Sequence, residues 1–179
     1  MGPILWELNL YWNWWIMTFY FLTALIAVLD RLSKMWAVST LKVGPDIRII
    51  DGVFHLSYLE NKGVAFGMLS ALNPILPFIS VAIVIGIFYY YKKSQNRSLP
   101  FTIGLAFICG GALGNIIDRF VQSYVVDFIS VYIFGHPFPI FNVADIFVTC
   151  GSFILLIYFI ISDKKAVEGG FDHDGQDRQ

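Results

Sequence analysis

Residues 98–117 read SLPFTIGLAFICGGALGNII, twenty positions without one charged side chain. A helix rises about 1.5 Å per residue and the hydrocarbon of a bilayer is about 30 Å thick, so a stretch of this length crosses it. Ser98, Leu99 and Pro100 mark the start: a hydroxyl to cap free amides, then a proline in the first turn, where its missing N–H costs nothing. Working outward and reading between charges, further spans fall at 8–29, 74–91 and 144–162. Gly63 to Tyr91 is too long for one straight crossing, and Asn73-Pro74 repeats the cap-then-proline signal, which leaves 63–72 as loop. Asn142 lies three residues before Asp145 and resembles a capping box at the head of the last span. The opening segment lacks a basic n-region and a small-residue cleavage site, so it is expected to be a retained span, not a removable signal peptide.

Composition agrees. Of 179 residues, 57% are hydrophobic and 14% charged, whereas soluble domains carry about 25% charged residues. The chain is therefore an integral membrane protein, and a disordered, collagen-like or disulfide-rich chain is excluded. Twelve Lys plus Arg against thirteen Asp plus Glu leave a net charge of −1. That gives no basic excess for phosphates, so no nucleic-acid partner is expected. Cys109 and Cys150 sit in apolar runs without ligand spacing and read as buried free thiols; His55, His136 and His173 are scattered. Neither a metal nor another cofactor is expected.

Between the first two spans, the region 42–62 holds the turn signals Gly44-Pro45, Asp51-Gly52 and Asn61-Lys62-Gly63 around the β-prone runs Arg48–Ile50 and Val53–Leu59. Tyr124 to Phe134, closed by Gly135-His136-Pro137, is of the same kind and lies on the same side of the bilayer. The fold class is thus an all-α membrane protein of four transmembrane helices with a small extramembrane β-sheet. Residues 1–165 form one domain, and 166–179 read as a polar, disordered tail. The acid-free turn with Lys92, Lys93 and Arg97, together with Lys164 and Lys165, places that side and both termini in the cytoplasm.

Four acids, Asp30, Asp118, Asp127 and Asp145, gather at the membrane boundary on the opposite side. Asp30 and Lys34 are four apart and can pair on one helix face; Asp118 and Arg119 can form a boundary pair. Gly110, Gly111 and Gly114 make a strip of small residues for helix packing, and Asn115 and Arg119 share a face just beyond it. No GxSxG, HExxH or P-loop is present. What remains is carboxylate chemistry: two facing Asp side chains share one proton, the ionised one activating water and the protonated one polarising a carbonyl. The same acids also suit an ion path, or serve as anchors of an assembly scaffold. No acid lies at the centre of a span, which counts against a relay across the membrane.

NKGVAFG at 61–67, GGALGNIIDR at 110–119, VVDFI at 125–129, FNVAD at 141–145 and, ahead of them all, Asp30-x-x-Ser-Lys34 are spread from the first span to the last. Together they closely resemble lipoprotein signal peptidase, the type II signal peptidase of bacteria. The resemblance implies a multi-pass aspartic endopeptidase of the inner membrane that cuts diacylglyceryl-modified prolipoproteins just before the lipid-bearing cysteine. Its site would face the periplasm, with the β-sheet as a cradle for the peptide and membrane lipids as surroundings; no oligomer is required. It assigns Asp127 and Asp145 to the catalytic pair, and Asn61, Gly63, Asn115, Arg119 and Asn142 to holding the substrate or the pair. Asp30, Lys34 and Asp118 would support the architecture. The choice of Asp127 over Asp118 comes from the resemblance alone. The helix N-terminus at Asp145 makes it the expected ionised partner and Asp127 the protonated one.

Overall fold

A computed structural model describes residues 5–63, 74–95 and 97–173. In chain order the elements are α1 (Leu5–Leu41), β1 (Ile47–Ile50), β2 (Phe54–Asn61), α2 (Leu76–Lys93), α3 (Leu99–Gln122), β3 (Val125–Ile133), β4 (His136–Pro137) and α4 (Val143–His173). All four helices are long and apolar enough to cross a membrane. The strands form one antiparallel sheet in the order β1-β2-β3-β4. Four transmembrane helices with a small sheet are thus observed.

α3 is the central helix, and its glycine strip explains why. A methyl group on Gly110 would lie 2.7 Å from Ile26 Cβ of α1, while one on Gly111 would strike the Ala144 carbonyl of α4. One on Gly114 would strike the Asp30 carboxylate. Without side chains at these positions α3 packs backbone-close against α1 on one face and α4 on the other, as small residues permit between membrane helices. At the opposite end Phe19, Tyr91, Phe101 and Leu105 form the apolar core of the bundle.

Several boundaries move. The first span does not stop at Asp30: α1 continues to Leu41, and its last turns bury Ala37 and Leu41 against Val126 and Phe128 of the sheet. From Trp14, where the described side chains of α1 begin, exposed apolar positions continue past Asp30 to Trp36. Asp30 and Lys34 are tucked into the bundle, 0% and 1% exposed, while Leu32, Met35 and Trp36 beside them on α1 face outward. A charge that is paired inside the bundle reads in sequence like the end of a span. α2 starts at Leu76 with Pro77, not Pro74, in its first turn, and the expected cap Asn73 lies outside the described residues together with 64–72. α3 begins as expected behind Ser98 and runs on to Gln122. α4 continues past 162 to His173, so the stretch read as a disordered tail begins as helix, and 174–179 lie outside the described residues.

The turn at 92–97 carries less free charge than its sequence suggests. Arg97 is buried and donates to the Lys92 carbonyl at 3.1 Å and the Ser94 carbonyl at 3.2 Å, capping the C-terminus of α2.

Candidate active site

α3 ends at Ser123, whose left-handed backbone (φ 64°) turns the chain sharply into β3. This fold-back sets Asp127 of β3 beside Asn115 and Arg119 of α3, with Asp145 of α4 completing the group around one cavity of about 590 Å³. Asn61 and Gly63 line it too. Phe138, Ile140, Phe141, Ile146 and Val148 supply apolar walls. Cys150 also lines it and is exposed, which corrects its reading as a buried thiol; Cys109 is buried.

Each carboxyl oxygen of the two acids accepts one N–H. Asp127 Oδ1 takes the Asn142 amide at 2.6 Å and Oδ2 the Asn61 amide at 2.8 Å. Asp145 Oδ1 takes the Asn115 amide at 2.9 Å, and Oδ2 takes the backbone N–H of Asn142 at 3.2 Å. The capping box is present: Asn142 Oδ1 accepts the Asp145 N–H at 3.0 Å, closing the reciprocal pair. That bond fixes the direction of the Asn142 amide, whose oxygen faces the helix and whose NH2 must then face Asp127.

Asn61 reaches Asp127 only because of an irregularity. β2 and β3 pair Leu56 with Ile129 and then Leu59 with Asp127, so β2 holds one extra residue between Leu56 and Leu59. Side chains alternate faces along a strand, and one residue of slip exchanges the faces. Without the bulge, Tyr58 would pair with Asp127 and Glu60 would lie diagonal to it. With the bulge, Asn61 takes that place, while Glu60 turns to the other face and pairs with Lys42 at 2.9 Å and Tyr58 Oη at 3.1 Å. Nothing in Ser57 or Tyr58 announces a bulge in sequence.

Beneath the cavity sits an ion cluster. Lys34 contacts Asp30 at 2.8 Å and Asp118 at 3.0 Å, and Arg31 contacts Asp118 at 3.1 Å. The i,i+4 pair Asp30–Lys34 is thus present, but the expected Asp118–Arg119 pair is not. Asp118 turns to α1 and accepts the Val126 N–H at 3.2 Å, while Arg119 donates to the Gly63 carbonyl at 3.2 Å. Asp30 also caps α4 from outside, accepting the Ala144 N–H at 2.9 Å. The structure thereby separates Asp118 from Asp127: the first is consumed by ion pairs, the second opens onto the cavity. Burial pushes the Asp127 carboxyl up to about 6, and the Asp145 charge adds to this against the amides of Asn61 and Asn142.

A family model described as Signal peptidase (SPase) II matches residues 22–161. The chain belongs to the signal peptidase II family. Its match runs from the middle of α1 to the membrane portion of α4 and takes in every residue of the site above. A lipoprotein signal peptidase of Clostridium novyi is 41% identical over 138 residues, covering 76% of this chain and 93% of that one. One from Halalkalibacterium halodurans is 40% identical over 150 residues, covering 84% and 96%. Among solved structures, a bacterial membrane enzyme determined by the in meso method at 2.3 Å resolution superposes with a TM-score of 0.77 at 31% identity, covering 84% of this chain and 92% of that chain. This signal peptidase II is accordingly a multi-pass membrane peptidase of the aspartic type.

Proposed function

We propose that this signal peptidase II cuts diacylglyceryl-modified prolipoproteins before the lipidated cysteine, with Asp127 and Asp145 as the catalytic pair. The observation that carries this is the pairing of charges around the cavity. Asp30 and Asp118 are paired with Arg31 and Lys34, whereas Asp127 and Asp145 line the cavity beside Arg119 without an ion pair of their own among the described residues. The donors to Asp127 and Asp145 among those residues are neutral N–H groups, and two such carboxyls beside one cavity are suited to sharing one proton.

Asp145 is held as an anion by the Asn115 amide, the Asn142 N–H and the first turn of α4. Asp127, its proton affinity raised by burial, holds the proton. Asp145 takes a proton from water as the oxygen adds to the scissile carbonyl carbon, and Asp127 gives its proton to the carbonyl oxygen. Asp145 then passes its proton to the leaving nitrogen as the C–N bond breaks, and Asp127 recovers one from the collapsing diol. Arg119, whose Nε has no hydrogen-bond partner among the described residues, and the turn at Asn61–Gly63 are suited to holding the substrate backbone. The apolar wall of α4, open at Thr149 and Cys150, suits acyl chains arriving from the bilayer.

The same reading places the protein in the bacterial inner membrane with both termini in the cytoplasm and the sheet outside. It calls for no cofactor, no nucleic acid and no second copy. The test uses purified protein with a lipidated prolipoprotein and its unlipidated precursor. Release of the signal peptide from the lipidated form alone, lost in Asp145→Asn, is expected; equal cutting of both forms, or cutting by Asp145→Asn, overturns the reading.

A further inference from the structure

Three asparagine amides hold the pair, and each must point its NH2, not its oxygen, at a carboxyl group. For two of them a backbone N–H decides the direction. Gly63 N–H donates to Asn61 Oδ1 at 2.9 Å, and Asp145 N–H to Asn142 Oδ1 at 3.0 Å. Asn115 lies inside α3, where the neighbouring backbone amides are committed to the helix, so its oxygen needs a donor from another element. That donor is Lys34 Nζ of α1, at 2.8 Å, with the Asn142 amide a longer second at 3.2 Å.

We propose that Lys34 is a positioning residue for the catalytic pair: by anchoring Asn115 Oδ1 it holds the Asn115 amide on Asp145. This rests on the assignment of the pair given above. Lys34, 1% exposed, makes three contacts: ion pairs with Asp30 Oδ2 and Asp118 Oδ2, and a hydrogen bond donated to Asn115 Oδ1. Two of these close ion pairs within the cluster, where Arg31 also faces Asp118 and the Ala144 N–H faces Asp30. The third leads to the chemistry. With the Asn115 amide reversed, its oxygen would face the Asp145 oxygen and its NH2 the ammonium, so both contacts would become repulsive. Lys34 and Asp145 together therefore admit one orientation, and the cation transmits the position of α1 to the carboxylate on α4 without touching substrate.

The experiment is a double-mutant cycle on turnover. Lys34→Met alone leaves two buried acids short of a cation and is expected to misfold, so Lys34 is changed in an Asp30→Asn background, which keeps the cluster balanced. A second arm, Lys34→Arg, keeps the charge but not the geometry. With Asn115 present, each Lys34 change should lower kcat about ten- to hundred-fold, the size of effect found when the hydrogen-bond partner that orients a metal ligand is lost, with KM unchanged. In an Asn115→Ala background the same changes should cost less than about twofold more. Equal losses in both backgrounds, or a loss confined to KM, overturn the proposal. Asp145→Asn is assayed beside them: if it is inactive while the cycle is additive, only the role of Lys34 falls; if it cuts, the catalytic pair and the role of Lys34 fall together.

Discussion

Replacing Asp127 by asparagine should abolish cleavage and at the same time remove a stability cost that depends on pH. Burial and the Asp145 charge move the Asp127 carboxyl from 3.8 to about 6, so the folded state binds this proton more tightly than the unfolded chain. For a group shifted upward, the stabilisation is complete below the unfolded value and is lost as pH rises through the folded one. At 1.36 kcal/mol per pH unit, this amounts to about 3 kcal/mol lost between about pH 4 and pH 6. The carboxamide of the Asp127→Asn variant cannot titrate, but it presents one NH2 to the donors of Asn61 and Asn142, leaving one mismatch worth about 1 to 3 kcal/mol at every pH. The variant should therefore gain about 3 kcal/mol relative to the wild type between about pH 4 and pH 7.5. In thermal unfolding of the detergent-solubilised proteins, that is a change of about 6 to 12 °C in the difference between their midpoints. Parallel midpoint curves across that range, or prolipoprotein cleavage by the variant, would refute the argument.

Turnover of the wild type should fall about tenfold per pH unit above the region of pH 6, as the shared proton leaves the pair; a rate flat to about pH 9 counts against it. Arg119→Lys keeps the charge but not the planar fork that reaches Gly63, and should impair cleavage about ten-fold or more with the fold intact by size-exclusion chromatography. Gly114→Ala sets a methyl group on the Asp30 carboxylate and should cost about 3 to 5 kcal/mol through the disturbed ion cluster, read as a lowered unfolding midpoint; a midpoint within about 2 °C of the wild type would show that α1 and α3 yield there. Cysteines introduced at Gln95 and at Asp46 should react with an impermeant label from opposite faces of sealed vesicles, and reaction from one face alone removes the four-span topology.

The spans were legible because a bilayer demands long runs without charge, and nothing else in a sequence looks like SLPFTIGLAFICGGALGNII. The same rule misplaced the end of α1, since it treats every charge as a border, whereas Asp30 and Lys34 are stabilised by Asp118, Asn115 and Ala144 from two other helices. Contacts between residues 81 or 114 positions apart leave no periodic trace. The cap at Asn142 was visible because capping is local; the bulge in β2 was not, because its residues carry no turn chemistry. Composition and spacing offered Asp118 and Asp127 on equal terms. Only their neighbours separate them.

The capping box that starts α4 has a use beyond holding a helix end. Asn142 faces Asp127 because its other side closes the first turn of α4 on Asp145, so the helix start and the proposed catalytic pair are made in one event. A chain threaded into the bilayer with α4 displaced by a single residue would lose the cap and the amide to Asp127 together. With Asp127 and Asp145 as the proposed pair, peptide cleavage should double as a readout of correct insertion, and a translocation defect at the last span should appear as lost proteolysis before any loss of membrane-integrated protein.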